Sequence, residues 1–230
     1  MKGNIVKRFL CILVLGLFGL VMAAPGSAAG KSFVYQAHTP EGMEKEFDRT
    51  QIEIRGKDDS TLIKRSKNTG TCEIVDEFLL DKDRSLISWK RACTEEGTDF
   101  TALREGDRLV IKGTFNGEQV DKQFDLGGKY LHIYPKYSLD KFAFSGLKSL
   151  KFWSIRRDEL TLVPMKAEVK GLETIEINGK IEKAVRVYYA IDNKLKERFF
   201  NHEYFFRASD GVFLKKVQQD GEVEILIQED

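Results

Sequence analysis

The sequence predicts an all-β fold, an antiparallel sandwich or barrel, and three observations carry that expectation. Asn116-Gly117, Asn178-Gly179 and Asp220-Gly221 each separate runs of alternating or β-branched residues. Both central residues of a two-residue hairpin turn must tolerate positive φ, which Asn, Asp and Gly do best. Softer breaks at 56–60, 68–70, 95–98, 105–107 and 209–211 fill the intervals, so strand follows strand at short spacing. Finally, no Pro-, Ser- or Gly-rich linker, low-complexity tract or helical repeat divides the roughly 200 residues from 30 to 230, a length that fits one β domain.

Taken in order, the chain opens with a basic segment holding Lys2, Lys7 and Arg8, an apolar run from Phe9 to Met22, and then small residues. This is the pattern of a secretory signal peptide over residues 1–29, with cleavage expected after Ala23 or Ala29. The run is shorter than the roughly 20 apolar residues a membrane span needs, and Pro25, Gly26 and Ser27 end it, so no stable span is expected after cleavage. Cys11 precedes most of the apolar run and is badly placed for lipid attachment. Taking three positive charges from the 37 basic residues leaves 34 against 36 acidic ones, a net charge of −2. A nucleic-acid partner needs a basic field to displace counterions and is not expected.

The stretch TCEIVDEFLLDKDRSLISWKRAC, residues 71–93, holds the two remaining cysteines. In an exported chain such a pair is expected to form a disulfide. A two-residue turn at Lys82-Asp83 sets Cys72 opposite Cys93, Phe78 opposite Ile87 and Leu79 opposite Leu86. Opposed Cβ atoms in such a pair lie within a small adjustment of disulfide distance. Around Asn116-Gly117, a two-residue loop places Lys112 opposite Asp121 and Arg108 opposite Asp125, charge pairs that support the register. From Ser138 to Leu150 the rhythm changes: SLDKFAFSGLKSL caps at Ser138, places Leu139, Phe142 and Phe144 near one side, and is interrupted at Gly146. A helix of about two turns lying on the sheet is expected there.

Hairpins follow around Asn178-Gly179 and Asp220-Gly221, and between them lies ERFFNHEYFFRASDG. Phe199-Phe200 and Tyr204-Phe205-Phe206 put rings on both faces of what should be one strand. Both faces must then be covered, with core on one side and a helix, second sheet or apolar cavity on the other.

Chemical signatures are absent by sequence: there is no G-x-S-x-G, glycine-rich phosphate loop or H-E-x-x-H. His38, His132 and His202 lie far apart without a ligand pattern, and Glu173 and Glu176 alternate with apolar residues as a solvated face does. No catalytic residue, metal site or cofactor is expected, and the chain is read as non-enzymatic.

The run KFWSIRRDELTLVPMKAEVKGLETIEINGK, followed by AVRVYYAIDN and EYFFRASDGVFLKKV, resembles a bacterial envelope family of unknown function related to the lipoprotein carriers LolA and LolB. The shared pattern is an aromatic pair, a Pro-Met-Lys strand leading to G-x-E, a hairpin, and an aromatic triplet before an Asp-Gly turn, over Phe152 to about Val217. The resemblance implies a strongly curved antiparallel sheet, a half-open barrel with one or two short helices and an apolar concave face. Carriers of that superfamily hold lipoprotein acyl chains on such a face, and, because barrel mouths and concave sheets are where apolar pockets occur, a periplasmic protein holding a lipid, an acyl chain or a lipoprotein segment among Trp153, Tyr189, Phe200, Tyr204 and Phe206 is expected. The alternative is an envelope interaction or structural module that binds a protein partner and no ligand.

Overall fold

The computed structural model describes residues 30–39, 50–57, 60–68 and 72–230. Residues 1–29, with Cys11, both expected cleavage points and the expected signal peptide, lie outside them. The described strands are β1 (Lys31–His38), β2 (Thr50–Lys57), β3 (Ser60–Asn68), β4 (Glu73–Leu80), β5 (Leu86–Cys93), β6 (Thr98–Glu105), β7 (Arg108–Phe115) and β8 (Glu118–Asp125). After two short helices, α1 (Pro135–Ser138) and α2 (Asp140–Phe144), come β9 (Ser149–Arg156), β10 (Thr161–Ile177), β11 (Lys180–Ile191), β12 (Asn201–Arg207), β13 (Phe213–Gln218) and β14 (Val223–Glu229). They form one antiparallel sheet in which β1 is flanked on one side by β2 through β8 in order and on the other by β14 back through β9. The sheet does not close, and β8 and β9 are its two edges.

Alternation sets which residues fill the concave side. In β4, for example, Asp76, Phe78 and Leu80 are buried while Glu73 and Glu77 on the opposite face are not. Phe33, Ile52, Ile63, Phe78, Trp89, Phe100, Phe152, Met165 and Phe206 all fall within one continuous core. Each such side chain contributes about 1.5–3 kcal/mol by leaving water.

Turn chemistry explains where the expected registers hold and where they move. At Asn116-Gly117 and Asn178-Gly179 both residues have positive φ, 52° and 79° in the first turn and 52° and 74° in the second. Both turns close as two-residue hairpins, with Lys112 opposite Asp121 and Arg108 opposite Asp125 and Ile177 opposite Lys180. At Asp220-Gly221 the loop is three residues long, because Gln218 N donates to Glu222 O at 2.8 Å and Val217 faces Val223.

The β4–β5 register also differs from expectation. Instead of a two-residue turn at Lys82-Asp83, a loop spans Asp81–Ser85, closed by Asp81 N donating to Ser85 O at 2.9 Å. Asp81 Oδ1 accepts from the amides of Asp83 and Ser85, and Arg84 takes φ 64°. With an irregularity between Leu79 and Leu80, the pairing becomes Phe78 to Trp89, Leu79 to Ser88 and Leu80 to Leu86. Cys72 is therefore diagonal to Cys93 and not opposite it. The two nevertheless join, with Cα atoms 6.1 Å apart.

The helical segment starts earlier than the sequence suggests. Pro135 opens α1, where its missing N–H costs nothing, and Ser138 ends that helix instead of capping one. Leu139 and Phe142 are buried, but Phe144 is 45% exposed, and Gly146 (φ 81°) lies beyond the end of α2. Residues 126–144 run along the seam between the sheet edges and into the concavity. Trp153 N donates to Tyr130 O, His132 N to Trp153 O and Leu86 N to Leu131 O, at 2.9, 2.9 and 2.7 Å. Near the edges themselves, Lys122 Nζ donates to Glu159 O at 2.6 Å. At the end where the odd-numbered strands begin, Arg84 forks onto Asp140 at 3.0 and 2.6 Å and anchors α2. The opposite end is left for a cavity. Among the described residues no helix is long and apolar enough to cross a membrane.

Candidate functional site

A cavity of about 1150 Å³ occupies the end of the concavity where the odd-numbered strands finish. Both arms of the sheet contribute: Arg65 from β3, Arg91 from β5, Ile155 from β9, Met165 from β10, Tyr189 from β11, Tyr204 from β12, Lys216 from β13 and Glu224 from β14. Ile133, Tyr134, Pro135 and Lys136 of the inserted segment complete it. The β11–β12 connection borders the mouth through Asn193, Lys196 and Phe200. Beside them Leu195 and Phe199 stand 69% and 74% exposed.

One wall is aromatic. Tyr189 meets Tyr204 edge-on with centroids 5.7 Å apart, and Phe200 packs on Tyr189 at 6.2 Å. Burial pushes the Tyr189 phenol up to about 12, so this wall carries no charge at neutral pH. His202, at the same wall, is pulled down to about 4 by burial and then by Lys216. It is therefore a neutral imidazole at physiological pH.

The deeper wall is charged. Asp76, fully buried, accepts from Arg65 at 2.5 Å, from Arg91 Nε at 2.8 Å and from Trp89 Nε1 at 2.8 Å. Burial alone would raise its carboxyl, but Arg91 and Arg65 hold it below the usual carboxylate range. Tyr134 stands over this cluster. Its hydroxyl accepts from Arg65 at 2.9 Å and Arg91 at 2.6 Å, and its ring lies 4.4 Å from the Arg157 guanidinium. Its backbone is held at φ 52°, a conformation that costs a bulky residue about 1–3 kcal/mol and persists only where surroundings impose it.

A second cluster adjoins the first. Glu224 accepts from Lys136 and pairs with Lys216 at 3.4 Å, while the Lys136 ammonium also faces the rings of Tyr35, Tyr137 and Phe213. Burial would raise the Glu224 carboxyl, but Lys136 and Lys216 bring it to about 2. Burial pulls Lys136 down to about 8 against the Glu224 carboxylate, and Arg65 and Lys216 add to the fall. The two shifts have different main causes, loss of water for Lys136 and the facing ammonium groups for Glu224.

The structure brings together Tyr189, Phe200 and Tyr204 of the five rings expected to line a pocket. Trp153 instead points its indole N–H at Leu126 O (2.9 Å) in the seam, and Phe206 packs on Phe213 in the core. Neither is in the cavity wall. The expected double-sided burial holds for Tyr204, Phe205 and Phe206, whereas Phe199 and Phe200 precede the strand in a one-turn helix and its cap. The buried charges Asp76, Arg65, Arg91, Lys136 and Glu224 gave no sequence signal, since each lies on a different element and no spacing links them. Cys72, Cys93 and Glu96 bring possible ligand atoms within 4.8 Å, but two sulfurs joined to each other offer no thiolate to a metal.

No family model matches the chain, and no curated protein matches its sequence. Among solved structures it is similar to a β-barrel-like protein of domain of unknown function DUF1849 from Brucella abortus. The TM-score is 0.58 at 12% identity, over 87% of this chain and 97% of that one. At that identity the likeness is one of fold, and it places this chain among β-barrel-like proteins. A structure described as PNGF-II aligns with a TM-score of 0.40 at 11% identity, over 88% of this chain and 28% of that one.

Proposed function

We propose that this is a non-enzymatic, exported binding protein that holds an apolar or amphipathic ligand, a lipid or acyl chain, in the open end of its β concavity, as LolA- and LolB-type carriers do. The observation that carries the reading is the cavity itself. Its volume of about 1150 Å³ somewhat exceeds the roughly 300–1,000 Å³ of ordinary small-molecule sites, and Met165, Tyr189, Phe200 and Tyr204 give it an apolar wall. The Cys72–Cys93 bridge supports residence in an oxidising compartment such as the periplasm. A second reading, an envelope interaction module without a ligand, draws support from Leu172 and Ile181, 60% and 70% exposed on the β10–β11 hairpin.

Mass spectrometry separates the two. Protein purified from its native host without detergent, then extracted with organic solvent, should yield a discrete amphiphile in near-stoichiometric amount. An extract with no such species, from protein whose cavity also fails to take up added lipid, favours the interaction module.

A further inference from the structure

The cavity wall is apolar on one side and charged on the other, and its charges do not balance. Arg65, Arg91, Lys136 and Lys216 face only Asp76 and Glu224 within the two adjoining clusters, a surplus of two positive charges. Above them Arg157 rests on the Tyr134 ring and forms no ion pair among the described residues, its neighbour Asp158 being paired with Arg156. Uncompensated buried charge is costly, and proteins keep it where a ligand completes the pairing. The Nε of Arg65, in the same wall, is buried without a hydrogen-bond partner, a donor that the fold leaves unanswered.

Depth along the strands orders these features. On β3, β13 and β14 the cations and their counter-ions Arg65, Lys216 and Glu224 lie one inward-facing step below Lys67, Gln218 and Glu222, which border the mouth. The aromatic wall rises beside them from Tyr204 to Phe200. We infer that the cavity takes a single-chain anionic amphiphile head first: a carboxylate or phosphate monoester at the Arg65–Arg91–Lys136–Lys216 floor, and an aliphatic tail along Tyr204, Tyr189 and Phe200 toward the mouth. The inference rests on the carrier reading above and adds the sign and depth of the head group. Guanidinium forks and ammonium groups suit both oxyanions, and neither a neutral nor a cationic head can repair the surplus.

Isothermal titration calorimetry on the purified chain tests it with dodecanoate, dodecyl phosphate, dodecanol, dodecyltrimethylammonium and inorganic phosphate. Dodecanoate and dodecyl phosphate should each bind about tenfold or more tighter than dodecanol, and dodecyltrimethylammonium weakest of the four chains. Lys216→Met and the exposed-site variant Arg157→Gln should each narrow the gap between dodecanoate and dodecanol, chiefly by weakening dodecanoate. Thermal unfolding serves as the folding control, and Arg157→Gln keeps the test decisive if Lys216→Met fails to fold. If dodecanol equals dodecanoate, the head-group inference is overturned and the carrier reading stands. If inorganic phosphate binds as tightly as dodecyl phosphate, the tail has no place in the site. If no dodecyl probe binds, the carrier reading falls with it.

Discussion

Asp76 illustrates how a single residue organises the deep wall of the cavity. It neutralises one of two arginines, accepts the Trp89 indole and, through Arg65 and Arg91, fixes the Tyr134 hydroxyl. Such a network is weak evidence of net stability, since pairing in the interior roughly offsets desolvation. Its value here is positional: it holds Tyr134 in a left-handed backbone conformation at the cavity floor. None of this was legible from the sequence. Arg65, Asp76 and Arg91 stand beside other charged residues, Lys64, Glu77 and Lys90, and such charge in a strand reads as solvated until the sheet is known to curve. Tyr189 and Tyr204 were legible as rings that favour burial, although Phe144 and Phe199 show that a ring in the sequence does not guarantee it.

A pH effect also belongs at this scale. His132 lies under Phe152 with its Nδ1 3.0 Å from Arg84 O, and burial pulls its pKa from 6.5 to about 4. The folded imidazole stays neutral while the unfolded chain takes up a proton, so stability present above pH 6.5 is lost as pH falls toward 4. The slope should be about 1.4 kcal/mol per pH unit for each histidine that behaves this way. His202, held near 4 by burial and Lys216, adds a second contribution. Urea unfolding at a series of pH values should show this decline, and His132→Gln should flatten it. A flat profile in the unmodified protein would refute the assignment of a neutral buried histidine.

At the scale of elements, hairpins are the most readable part of the chain. Asn-Gly demands positive φ at two successive residues, so loop length and register follow directly, and two such hairpins form as expected. Lys82-Asp83 carries no such demand. Asp81 instead supplies an acceptor for two backbone amides and lengthens the loop, and the irregularity at Leu79 and Leu80 absorbs the difference. The cysteines meet all the same, because diagonal neighbours near a strand end remain within reach of each other. Closing that loop should stabilise the fold by about 3 kcal/mol in the chain-entropy view, less if the hairpin persists in the unfolded chain. Reduction should therefore lower the urea midpoint. An identical midpoint with and without reductant would contradict the role of Cys72–Cys93 as a clasp.

For the molecule as a whole, the connectivity makes the site possible. A sheet whose neighbours in sequence are neighbours in space curls until its two edges, β8 and β9, face each other, and the segment that joins them is drawn into the concavity. One end is thereby filled by α1 and α2, and the other keeps its cavity. The sequence showed the repeated strands and the break at 138–150, but not that the break would start at Pro135 and furnish a charged floor. That depends on long-range contacts, such as Lys136 with Glu224, which no local pattern encodes.

The central claim is that this open end is a ligand cavity, and fluorescence of N-phenylnaphthylamine tests it most directly. The probe should show saturable, blue-shifted enhancement with the unmodified protein, and Val163→Trp, which projects an indole from the cavity wall, should abolish most of it without lowering the thermal midpoint. No saturable enhancement in the unmodified protein, or equal enhancement in the variant, would contradict the account.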